Sequence, residues 1–86
     1  MVQARKTTKS LRSQEHRALC GLLIEAREQA DLTQTDVARR LGKPQSFVSK
    51  YESGELRLDV VEFLKVARVL RIDPAALIKA LARKSA

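Results

Sequence analysis

The 86-residue chain predicts an all-α fold of five short helices. Three observations carry that expectation. Apolar residues recur at helical spacing in successive segments, and no segment shows sustained strand alternation. Helix-start signals precede these segments: Thr33 with Asp36, Asp59 with Glu62, and Asp73 followed by Pro74. The length allows one small domain, which buries only about 60–65% of the surface its unfolded chain exposes and is modestly stable alone.

Taken in order, residues 1–12 hold Arg5, Lys6, Lys9 and Arg12, no acid, and little to bury. They predict a flexible basic arm ahead of a domain over 13–86. Arg5, Lys6 and Lys9 are candidates to lie along DNA phosphates or in a groove, the alternative being a solvated tail. The first helix, over 13–30, carries the apolar stripe Leu19, Leu22, Leu23, Ala26 and Ala30. His16, on its polar start, is expected in solvent. Cys20 is off the main stripe and is read as structural or incidental. In the second helix Val37, Ala38 and Leu41 share a face, and Gly42 supplies the permissive backbone that ends it. Pro44 fits the first turn of the third helix, where its missing N–H costs nothing. Val48 and Tyr51 point that helix inward and leave Gln45, Ser46, Ser49 and Lys50 outside. Residues 33–53 are thus built as a helix-turn-helix. A fourth helix follows Asp59, with Val60, Phe63, Leu64, Ala67 and Leu70 as its stripe, and a fifth follows Asp73-Pro74 with Leu77, Ile78 and Leu81. With Phe47, Tyr51 and Phe63 as the only aromatics, the core must be mostly aliphatic.

Composition narrows the function. The net charge is +7, and four of those charges lie in the first 12 residues. This suits a polyanionic partner such as double-stranded DNA, although a merely basic surface has the same count. No apolar run approaches 18 residues, so no membrane span is expected, and the start lacks the apolar core of a signal peptide. A single cysteine cannot form an internal disulfide, which points to a reducing cytoplasm. No metal-ligand cluster, nucleophile–base pattern or phosphate loop is present, so neither an enzyme nor a cofactor is expected.

The outer face of the third helix has the side chains that base reading needs. Gln45 can pair bidentately with adenine or share contacts with neighbouring bases, and Ser46 is short and versatile. Lys50, about 1.5 turns beyond Gln45, reaches either a guanine or a phosphate. Gln34 opens the preceding helix, where free N–H groups and the dipole favour a phosphate. Lys43 and Arg57 flank the reading helix and are favoured as phosphate contacts. Arg39 and Arg40 border the same surface; Arg40 is a further candidate phosphate contact, the alternative for both being simple solvation.

The run Leu32-Thr33-Gln34, Val37-Ala38, Leu41-Gly42, Gln45-Ser46, Val48-Ser49 and Tyr51-Glu52, continuing to Gly54 and to Leu64-Lys65-Val66-Ala67-Arg68-Val69-Leu70, resembles the phage repressor and Cro (XRE) family. The likeness covers roughly residues 17 to 82, and its strength lies in the order and spacing of individually weak motifs. It implies a lambda-repressor-like five-helix DNA-binding domain, with Pro44, Gln45, Ser46, Ser49 and Lys50 facing the major groove. It also implies that Gln34 bridges a phosphate and Gln45, and that Arg27 and Glu52 form an ion pair between the first and third helices. Two residues depart from the family pattern. Pro44 stands where a capping Ser or Thr is common, and Phe47 stands where a smaller residue is usual. Phe47 is placed either against thymine methyls and deoxyribose or, as slightly preferred, partly buried against a neighbouring helix.

One such helix reads only a few base pairs, and family members usually bind two half-sites as symmetric dimers. Leu77, Ile78 and Leu81, spread over about 100° of the last helix, are the candidate homodimer face, with Val61 and Val69 beside them. The alternative is that all of this face packs inside one chain. Three functions fit: a transcription regulator acting as repressor or autoregulator, a restriction–modification controller included; an antitoxin with a toxin protein partner; and an interaction module that has lost DNA binding. The retained Gln34, Gln45, Ser46 and Lys50 argue against the last.

Overall fold

Side-chain caps set where the helices begin. In the computed structural model, which describes residues 13–85, Ser13 Oγ accepts the His16 backbone N–H at 3.1 Å and opens α1, Gln14–Gln29. Thr33 and Asp36 cap each other reciprocally at 3.0 and 2.9 Å ahead of α2, Gln34–Leu41. Asp59 and Glu62 do the same at 2.7 and 2.9 Å ahead of α4, Val60–Leu70. These are the two capping boxes read from the sequence. Asp73 Oδ1 accepts the Ala75 N–H at 3.0 Å at the start of α5, Pro74–Ser85. The third helix, α3, runs Gln45–Ser53 and has no side-chain cap. Pro44 lies one residue outside it, with extended backbone, rather than within its first turn. No strand occurs among the described residues. The basic arm, with Arg5, Lys6 and Lys9, lies outside them.

Left-handed residues follow four of the helices, Gly54 with a φ of 92° after α3 among them, and three of these ends share one closure. Asp31, Gly42 and Arg71 have φ of 60°, 70° and 59°. After each, the next N–H reaches back five residues: Leu32 to Arg27 at 3.2 Å, Lys43 to Ala38 at 3.0 Å, Ile72 to Ala67 at 3.0 Å. This closure satisfies carbonyls that the helix leaves open and turns the chain sharply. Between α2 and α3 it gives the tight turn of the helix-turn-helix.

The core gathers Leu23, Val37, Ala38, Val48, Tyr51, Phe63, Val66, Leu70 and Leu77 from all five helices. It is mostly aliphatic, as the aromatic content requires. α2 packs on α3 and α4, α1 packs on α3 and α5, and α5 also packs on α4, so the helix-turn-helix rests on α1 and α4, with α5 behind them.

Three sequence expectations are corrected here. His16 and Cys20 are buried, not exposed or off the stripe. They share with Leu23 and Arg27 the face at i, i+4, i+7 and i+11, one face of a helix. On α4 the buried face is Phe63, Val66, Ala67 and Leu70, whereas Val60 is 74% and Leu64 39% exposed. Apolar residues surround α4, so spacing alone did not fix which set turns inward. On α5, the candidate dimer face divides: Leu77 belongs to the chain's own core and Leu81 is half-buried. Ile78 remains 49% exposed.

Candidate nucleic-acid interface

The outer surface of the helix-turn-helix is built from the turn outward. With α3 anchored by buried Val48 and Tyr51, its other side presents Gln45, Ser46 and Lys50 to solvent and Ser49 half-exposed. Lys43 and Pro44 are exposed in the turn. Phe47 is half-buried, its ring edge-on to Tyr51 with centroids 5.7 Å apart. The Lys43 ammonium sits 5.2 Å from the Phe47 ring centroid, an attraction that places a cation beside the exposed side of α3. Phe47 therefore combines partial burial with the holding of a basic residue.

A chain of hydrogen bonds leads from the interior to this surface. Arg27 Nε donates to Glu52 Oε2 at 2.7 Å and Arg27 Nη2 to Glu52 Oε1 at 3.2 Å. Arg27 Nη1 donates to the Leu32 carbonyl at 2.9 Å, tying the guanidinium to the start of the α2 segment. The side chain of Glu52 is 5% exposed. Its hydrogen bond and charge raise the Arg27 pKa above its ordinary value, against the opposing effect of burial. Glu52 Oε1 also accepts from Gln34 Nε2 at 2.8 Å, and Gln34 Oε1 accepts from Gln45 Nε2 at 2.6 Å. Gln34, Gln45, Arg27 and Glu52 thus form one connected set. The link from Gln34 to Glu52 was not read from the sequence; it joins residues 18 apart in the chain, beyond any local periodicity.

The α3 helix is fixed from behind by a second contact. Cys20 Sγ donates to the Tyr51 carbonyl at 3.3 Å. Burial raises the Cys20 thiol pKa and keeps it protonated, as a donor must be.

The basic residues divide between faces. Lys43 and Lys50 stand at the two ends of the exposed side of α3, and Arg57 is exposed in the loop that follows. Arg39 is exposed and pairs loosely with Asp36 at 3.5 Å. Arg40, expected at the border of the reading surface, instead lines a hollow with Leu41, Lys65, Arg68 and Val69. Six residues beyond Gln34 at about 100° each, its position is turned roughly 120° from Gln34 toward α4. Among the described residues no cluster of His, Cys, Asp and Glu could hold a metal ion, and no helix is long and apolar enough to cross a membrane.

Known proteins share this fold. The sequence model described as helix-turn-helix matches residues 23–77. An XRE-family like protein from Pseudomonas syringae pv. tomato str. DC3000 has a solved structure that is 46% identical, covering 94% of this chain and 99% of that one, with a TM-score of 0.83. A mutant of the restriction-modification controller protein C.Esp1396I is 17% identical, covering 84% of this chain and 91% of that one, with a TM-score of 0.75. At that identity it attests the fold alone. No curated protein sequence matches. A helix-turn-helix match over most of the chain, and a near-full-length relative at this identity, place the chain in the XRE family of helix-turn-helix DNA-binding transcription regulators.

Proposed function

We propose that the protein is a sequence-specific regulator, acting as a repressor or autoregulator, that reads a two-fold symmetric operator as a homodimer. The observation that carries this reading is the tethered Gln45. Its amide is bonded to Gln34 at 2.6 Å yet stands exposed at the start of α3. A side chain held in one rotamer on an open helix face loses little further entropy on meeting a base. Pro44, Gln45, Ser46, Ser49 and Lys50 supply the base-facing side. Gln34, Lys43 and Arg57 supply phosphate contacts that set its register.

The dimer reading rests on a different face. The large exposed hydrophobics are Val60, Val61, Leu64 and Ile78, and Val60, Leu64 and Ile78 border one shallow apolar groove between α4 and α5. Such a patch on a small domain marks an interaction surface. A second copy is the occupant because one reading helix spans too few base pairs to specify an operator.

Selection from a randomised duplex library at about 150 mM salt, where weak phosphate attraction is screened, tests the proposal. The expected result is an enriched palindromic site, and Gln45→Ala should relax one position in each half-site by about 1–3 kcal/mol of discrimination. Binding without enrichment, sensitive only to salt, would sink the reading and redirect the search to a protein partner such as a toxin.

A further inference from the structure

We propose that Glu52 acts as a positioning residue that fixes which way the Gln45 amide faces, and thereby makes Gln45 a reader of adenine rather than guanine. The inference rests on the regulator reading above and concerns the specificity of that same surface.

The argument is one of donors and acceptors. An ionised carboxylate accepts and cannot donate. Arg27 holds both oxygens of Glu52, and Glu52 Oε1 still accepts from Gln34 Nε2 at 2.8 Å. Gln34 must therefore turn its NH2 inward and its oxygen outward. That oxygen meets Gln45 at 2.6 Å, so Gln45 must offer its own NH2. The opposite orientation of Gln45 would set two amide oxygens against each other. What remains of Gln45 for a ligand is one acceptor and one N–H. Adenine displays the complement, a donor at N6 beside an acceptor at N7, whereas guanine displays two acceptors at N7 and O6.

A pair of glutamines alone has no such direction, because both amides can reverse together and keep their bond. The carboxylate end supplies it. Replacing Glu52 by glutamine is nearly isosteric but changes that end. Arg27 holds both places, so the single oxygen of the new amide cannot satisfy it fully. With that oxygen kept against Arg27 Nε, the shorter contact at 2.7 Å, the NH2 stands opposite Arg27 Nη2, 3.2 Å from the present Oε1, and faces Gln34. Gln34 then reverses, Gln45 turns its oxygen inward, and its two N–H groups face outward, matched to guanine.

The test uses the full chain, Glu52→Gln and Gln34→Ala. The base read by Gln45 is first located by comparing sites selected by wild type and by Gln45→Ala. Competition titrations then measure the adenine-to-guanine preference at that position. For wild type the expected preference is roughly 5- to 150-fold, the range of one bidentate pair. Glu52→Gln should lower it at least about fivefold, toward guanine, while preferences at the other positions stay unchanged. Gln34→Ala, at a half-exposed site, frees the Gln45 amide and should lower it by a similar factor. Circular dichroism and thermal melting establish that each variant is folded. If Glu52→Gln does not fold, Gln34→Ala decides. A wild-type site with guanine at that position, or a folded variant that keeps the wild-type ratio, overturns this inference and leaves the regulator reading intact. The absence of any enriched site overturns both.

Discussion

At Arg27 three nitrogens are engaged at once, two by Glu52 and one by the Leu32 carbonyl. Removing the guanidinium would leave a buried carboxylate with Gln34 as its remaining donor. Arg27→Met should therefore cost about 3 kcal/mol in urea denaturation, more than the intact pair contributes, because an unpaired buried charge is penalised in full. At this scale the sequence is legible where a side chain's role follows from its neighbours in the helix. The exposure of Gln45, Ser46 and Lys50 follows from the inward turn of Val48 and Tyr51. His16 and Cys20 were misplaced for the converse reason. The carbonyl that Cys20 binds belongs to Tyr51, 31 residues on, and no local pattern announces it.

At the scale of elements, closure geometry makes opposite predictions for two matched positions. Gly42 has a φ of 70°, and an added Cβ would meet nothing within 4 Å. Gly42→Ala should then cost only the left-handed backbone penalty, about 1–2 kcal/mol. Arg71 already bears that penalty at a φ of 59°, so Arg71→Gly should stabilise the fold by a few tenths to about 1 kcal/mol. Chemical denaturation measures both. At the start of α2 the Asp36 carboxyl is held below the usual carboxylate pKa, first by the Thr33 backbone N–H and then by the Thr33 hydroxyl. A depressed folded value means that its contribution is present above the unfolded value of about 3.9 and is lost as pH falls through the lower folded one. Thermal melting across about pH 5 to 2 should show a shallower decline for Asp36→Asn than for wild type. The caps were legible because their partners lie three residues apart. The buried face of α4 was not, since Val60 with Leu64 and Phe63 with Val66 and Leu70 each satisfy helical spacing, and only the packing of α2 and α5 selects between the two sets.

For the whole molecule, the unpartnered apolar face between α4 and α5 makes the dimer a testable quantity. Ile78 is 49% exposed, so Ile78→Glu leaves the core of one chain untouched. Sedimentation equilibrium should show this variant shifted to monomer, with operator affinity reduced roughly 100-fold or more as the linked second half-site is lost. An unchanged mass would remove α5 from the interface. The five-helix architecture was readable because each helix has apolar residues at helical spacing, and α2, α4 and α5 are announced by start signals. The exposed apolar face was only partly so, because Leu77, Ile78 and Leu81 share an arc on which the core takes Leu77.

The hydrogen-bonded set behind Gln45 draws Arg27 from α1, Gln34 from α2, and Glu52 and Gln45 from α3. A recognition helix in this architecture is therefore not an interchangeable cassette. Grafting α3 of this protein onto a relative's scaffold would transplant the exposed letters, Gln45 among them, without the grammar that orients them. Redesign of its specificity has to treat four residues on three helices as one unit of exchange.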